Sequence, residues 1–196
     1  MAFLSKKATS AVSTGGSGGG NYLSPSKLQS GGSMRFALAS DEPLEMYEVW
    51  GENAEGAKRP FRFLEEPTAD DIAAEMGDDF QRRENRDGTA PEPAKFVIAV
   101  PVWSYESGSI GILSLSQKGL IRELDAVSQE PDYAELLAWD FSISREGTGL
   151  STEYTLRPLP QKGDKKEIAK ALKAAEADGF DINRLATGEN PFKKGV

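Results

Sequence analysis

The chain contains neither cysteine nor histidine. Without cysteine there is no disulfide, no thiolate nucleophile and no thiolate metal site. Without histidine there is no imidazole zinc ligand, no His-dependent triad and no side chain that titrates near neutrality by default. No run approaches the roughly 18 apolar residues of a membrane span. The opening "MAFLSKKATS" has no long apolar stretch and no cleavage signature, so no signal peptide is expected. Carboxylate chemistry and oxygen-ligand cation sites remain open on composition alone. Their sequence signatures are missing too. "TADD" and "GDDF" lack the spacing of a calcium loop, and no phosphate-binding glycine loop joins a strand to a helix. The expectation is a protein that binds, with no cofactor and no catalytic site.

What is present is acid, unevenly placed. The formal net charge is −8 over 196 residues. Residues 1–40 carry Lys6, Lys7, Lys27 and Arg35 and no acid, whereas 41–93 hold 16 acids against 6 bases. Such a distribution leaves room for a basic surface away from the acids.

Residues 1–20 read as a basic tip followed by a Gly/Ser/Thr-rich arm, "ATSAVSTGGSGGG". A body over 21–163 and a C-terminal helix with tail over 164–196 follow. In the body, strands are expected at Met34–Ala39, in "PLEMYEVWGE", in "KRPFRFLEE" and across "KFVIAVPVWSYESGSIGILSLSQK". Pro101 inside the last of these suggests an edge or a bulge. An acidic insertion over about 65–93 begins with a short helix capped by Thr68 and continues as a loop. "QKGLIRELDAVSQ" is helical, with Ser116 available as a cap. "AWDFSISREGTGLSTEYTLRPLP" is a last hairpin, and Lys165 to about Ala177 is a helix closed by Gly179. The chain therefore reads as mainly β with one or two helices. An OB-fold-like Greek-key barrel matches this order, and an open sandwich is the competitor.

Aromatic and cationic residues alternate along these strands, a combination suited to stacking bases while tracking phosphates. Lys58, Arg59 and Arg62 surround Phe61 and Phe63. Lys95 shares its strand face with Trp103 and Tyr105. Arg145 follows Trp139 and Phe141, and Tyr154 precedes Arg157. Trp139 and Phe141 are expected in the core, because an aromatic on a strand is usually buried. Arg145 shares their parity and sits near the strand end. The candidate DNA-binding set is Arg35, Trp50, Lys58, Arg59, Arg62, Lys95, Trp103, Tyr105, Lys118, Arg145, Tyr154 and Arg157.

The segments "NYLSP…SMRFALAS", "EVWGE", "KFVIAVPVWSYESGSIGILSLSQKGLIREL" and "DFSISREGTGLSTEYTLRPLP" resemble the single-stranded DNA-binding proteins of tailed phages, over about residues 21–160. The resemblance implies an OB-fold, sequence-independent protection of single-stranded DNA in replication or recombination, and a location in the cytoplasm of an infected bacterium. It also implies partner enzymes, and self-contact through a basic tip such as Lys6 and Lys7. Two departures stand out. The chain ends "GENPFKKGV" rather than in an acidic tail, and it has no residues for the zinc some members carry. The acid bias over 41–93 supports a different class: an acidic protein-interaction module, or a DNA mimic that regulates another enzyme.

Overall fold

The computed structural model describes residues 21–192. The N-terminal arm with Lys6 and Lys7, and the last four residues, lie outside them.

Nine strands form one sheet. They are β1 (Tyr22–Leu23), β2 (Ser33–Leu38), β3 (Leu44–Asn53), β4 (Lys58–Phe63), β5 (Phe80–Arg82), β6 (Lys95–Ser104), β7 (Ser109–Leu115), β8 (Trp139–Glu146) and β9 (Glu153–Pro160). Three α-helices accompany them among the described residues: α1 (Ala69–Met76), α2 (Lys118–Gln129) and α3 (Lys165–Ala177). The main path runs β1-β7-β6-β2-β8-β9, and β3 branches from β6 to carry β4 and β5. Every pair is antiparallel except the short β1–β7 contact.

The expected barrel is not formed. The sheet is open, because β9 pairs only with β8 and β1 only with β7. The resemblance to the phage single-stranded DNA-binding proteins, which implied a closed OB-fold, falls with it. The physical reason lies in β6. "FVIAVPV" is apolar at both parities, and residues 97–102 are buried on both faces. A strand apolar on both sides demands cover on both sides, the build of a layered α/β protein rather than a barrel with one wet surface. On one face α2 places Leu120 against Phe36, Val100, Leu113, Phe141 and Ile143. On the other, α3 and the 3-10 turn Ile182–Leu185 place Ile168 and Leu185 over Ala37, Met46, Val97, Ala99 and Ile112. The third helix also corrects the expectation of one or two.

Local features follow the sequence more closely. Thr68 caps α1 through a reciprocal box: its hydroxyl accepts from Asp71 N–H while the Asp71 carboxylate accepts from Thr68 N–H. That contact holds the Asp71 carboxyl below its ordinary range. Gln117 rather than Ser116 stands at the start of α2, with no side-chain cap bond. The second half of the insertion is not only a loop. Phe80–Arg82 pairs with β3, and α1 packs Ile72 and Met76 on Val49 and Phe61 in a satellite core. Gly51 belongs to this packing, since a Cβ there would meet the Phe61 ring at 2.7 Å.

Pro101 is neither at an edge nor in a bulge. It lies opposite Ile112 inside β6, where the neighbouring strand changes from β3, paired through Ala99, to β2, paired from Val102. Its missing N–H falls in that gap and interrupts no ladder. The outer strands are guarded against pairing with other chains. Pro60 interrupts β4, while Pro158 and Pro160 interrupt β9. The Glu123 carboxylate of α2 takes the Leu156 N–H of β9 at 2.7 Å. Among the described residues no helix is long and apolar enough to cross a membrane.

Candidate nucleic-acid interface

On the α3 side of the sheet, cover extends over β6 and β7 and the adjoining Ala37 of β2 and Met46 of β3, and leaves the rest of β2 with β8 and β9 open. Alternation along β2, β8 and β9 then decides what the uncovered quarter displays. Arg35 stands opposite Ser142, and Ser142 opposite Arg157. One step toward the hairpin tip, Ser33, Ser144 and Thr155 form the next row. One step the other way lie Ala37, Asp140 and Leu159, with Trp103 beyond Ala37. Phe36, Phe141 and Ile143 point to the opposite face and are fully buried. The result is an area of small hydroxyl side chains with Arg35 and Arg157 on one side and the exposed Glu146 and Glu153 at the hairpin-tip end.

Asp140 anchors this area. Its carboxylate is completely buried, yet fully partnered. Oδ2 accepts from Arg35 Nε at 2.7 Å and from Lys162 N–H at 3.1 Å, and Oδ1 accepts from the Tyr105 hydroxyl at 2.7 Å. Tyr105 in turn accepts from Gly163 N–H at 2.9 Å, and Arg35 donates to the Pro160 carbonyl at 2.8 Å. Burial first, and then the bond to Asp140, push the Tyr105 phenol up to about 12. It therefore remains a donor at any physiological pH. The Arg35 guanidinium and the Lys162 ammonium each lie 5.8 Å from the centre of the Tyr105 ring. Arg157 is exposed and makes no ion pair or hydrogen bond among the described residues. Arg35, Arg157 and Lys162 thus bring three cations to one side, with Asp140 buried against Arg35 and the exposed Glu146 and Glu153 two rows further along at the hairpin tip.

The remaining candidates fall elsewhere. Trp50, Lys58, Arg62 and Lys95 share the same side of the sheet at its far end, beyond α3. There Arg62 pairs with Glu48 at 3.2 Å, Lys58 with Glu52 at 3.3 Å, and Lys95 with Glu92. The Trp50 indole N–H donates to Glu48 at 2.8 Å. Arg59 turns to the opposite face and lies over Phe61 and Phe80, 4.2 and 4.6 Å from their ring centres. Arg145 follows the core parity of Phe141 and Ile143. It is half-buried and donates to the carbonyls of Ser26 and Leu28, fixing the 3-10 turn Pro25–Lys27. Its Nε is buried without a partner. Tyr154 stands beside it, 5.9 Å from the guanidinium, packed on the α2-side core. Lys118 is exposed at the start of α2, the layer on the other side of the sheet. Trp103 is half-buried beside the first turns of α3.

Of the candidates, the structure brings Arg35 and Tyr105 together at Asp140 and places Arg157 on the same sheet face; Asp140 and Lys162 are not among them. The alternation in "DFSIS" carried a signal for the polar face. Nothing local marked Asp140 as the buried acceptor or brought Lys162 back over Tyr105. Among the described residues no group of acidic side chains is placed to hold a metal ion.

Fold and site together define an open-sheet α/β protein with one uncovered, cation-bordered quarter. Compared with protein-family models, with curated proteins and with solved structures, the chain finds no match in any of the three.

Proposed function

We propose that this protein binds single-stranded DNA, without sequence-specific base contacts on the open β2–β8–β9 quarter and without catalysis. The reading is carried by one observation: Arg35 and Lys162 flank Tyr105, and Arg157 shares the same open sheet face of small side chains, in a protein of net charge −8. Small residues let a backbone approach the sheet. The hydroxyls of Ser33, Ser142, Ser144 and Thr155 can donate to phosphate oxygens, and the cations neutralise them. Aromatic rings beside a cationic track favour strands with unpaired bases, because only those can stack on a side chain.

The test is a fluorescence-anisotropy titration with a labelled oligo-dT at several salt concentrations. Two cations without an ion pair among the described residues, Arg157 and Lys162, give a slope of log K on log salt of about −1.4, or roughly a 7-fold loss of affinity between 50 and 200 mM salt. Arg157→Ala lowers the slope by about 0.7. Absence of binding at low salt, in a folded protein, overturns the proposal. A second reading, an acidic module for a basic protein, draws on the α1 lobe. Glu65, Glu66, Asp70, Glu75 and Asp78 are exposed there and form no ion pairs among the described residues. It predicts no oligonucleotide binding at any salt.

A further inference from the structure

Beside the open quarter, Trp103 forms one wall of a shallow groove of about 330 Å³ whose other wall is the first three turns of α3. Gly163 lies at its near end, Ile168 and Ala171 line it, and Asp164 and Glu167 stand at its rim. That volume is at the small end for ligand pockets and suits one planar ring system. The groove is continuous with the cationic area. Gly163 is bonded to Tyr105 and follows Lys162, and Trp103 lies two residues before Tyr105, about 7 Å along an extended strand.

The two surfaces differ in charge. The part of the open quarter next to the groove presents Arg35 and Lys162 with Asp140 buried beneath, its exposed Glu146 and Glu153 lying at the far, hairpin-tip end. The groove presents two carboxylates, with only Lys170 to offset them at a loose 3.9 Å from Glu167. Carboxylates repel phosphate, so a strand lying on Arg35 and Lys162 would turn its base, not its backbone, into the groove. They also accept hydrogen bonds without donating any. Asp164 uses one oxygen, Oδ1, to cap α3 at Lys166 N–H, and among the described residues no donor occupies its other oxygen.

Resting on the strand-binding reading above, we infer that the Trp103 groove is a base subsite that stacks one base on the indole and selects bases bearing an exocyclic amino group. Cytosine offers such a donor on its pairing edge. Thymine offers a carbonyl at the same position and would meet a carboxylate acceptor to acceptor. The protein would then bind any strand through phosphates, with a superimposed preference for amino-bearing bases at intervals along it.

The experiment compares dC15 with dT15 at pH 8, where neither base is protonated, using the full chain. Affinity and tryptophan quenching are both recorded. The expected result is roughly ten-fold tighter binding of dC15. Glu167→Gln and Asp164→Asn together should shrink the preference. Both changes keep the shape of the side chain, and asparagine caps a helix as well as aspartate does. Trp103→Phe should remove most of the quenching, since Trp50 and Trp139 lie away from the groove. Equal affinity for the two oligonucleotides, with quenching unchanged in Trp103→Phe, overturns the base subsite and leaves the phosphate-binding face standing. No binding of either oligonucleotide at low salt overturns both.

Discussion

Two regions on one side of the sheet combine aromatics with cations, and they end up opposite in character. At the β3–β4 end, each cation has an acid within reach. Glu48 lies opposite Arg62 and Glu52 opposite Lys58 in the strand register. On the β2–β8–β9 quarter, Ser142 stands opposite both Arg35 and Arg157, the Asp140 that pairs with Arg35 is buried, and the exposed Glu146 and Glu153 lie at the hairpin-tip end. For Arg62, Lys58 and Arg157 the cross-strand neighbour decides whether the cation is half of a pair, whereas Arg35 pairs diagonally with Asp140. A count of aromatic–basic clusters along the chain cannot separate these two cases. The pairing register does.

The comparison can be broken most strongly at its buried carboxylates. Asp140→Ala removes the acceptor shared by Arg35, Tyr105 and Lys162 N–H, and should cost about 3 kcal/mol in urea unfolding. Glu48→Ala, in the half-buried counterpart, should cost about 1 kcal/mol. Equal losses would mean that Asp140 is not the anchor described. Next comes the salt slope of oligo-dT binding. Arg157→Ala should lower it by about 0.7 whereas Lys58→Ala, whose charge is already neutralised by Glu52, should leave it unchanged. A loss at Lys58 matching that at Arg157 would erase the distinction between the two regions.

The smallest effect is on alkaline stability. The Tyr105 phenol is raised in the folded protein to about 12 from the usual 10. The unfolded chain therefore loses this proton first. The contribution is fully present below about pH 10 and declines as pH rises through 12. Tyr105→Phe should flatten the stability profile in that window and leave its shape at neutral pH alone. An unaltered profile would mean that the phenol is not held by Asp140 and Gly163.

Much of the local structure was legible before any coordinates. Thr68 with Asp71 spells a capping box, and "KEIAKALKAAEA" repeats its apolar positions at helical spacing. The alternation of Phe141 and Ile143 with Ser142 and Ser144 separates core from surface. Arg145 was placed on the core parity by the same alternation, and the structure puts it there. The candidate site was legible in part. Arg35, Tyr105 and Arg157 could be named as residues, but not as neighbours, and Arg59, Arg145 and Tyr154 could not be told from them. Trp103 illustrates the limit. Its strand face, shared with Lys95 and Tyr105, is readable from alternation, but α3 folding back beside it is not.

The sequence by itself determined most of the longer strands and helices, the apolar alternation of strands such as β8, and where the acid is concentrated. Those properties depend on residues within a few positions of one another. Only the tertiary structure decided that the sheet stays open, that α2 and α3 cover opposite faces, and that Arg35, Asp140, Tyr105 and Lys162 converge. These outcomes depend on pairings between segments up to about 100 residues apart, such as Arg35 with Asp140. A strand apolar at both parities fits a buried position in more than one architecture. Which architecture forms is set by how many faces the rest of the chain can cover, and here two helices cover two.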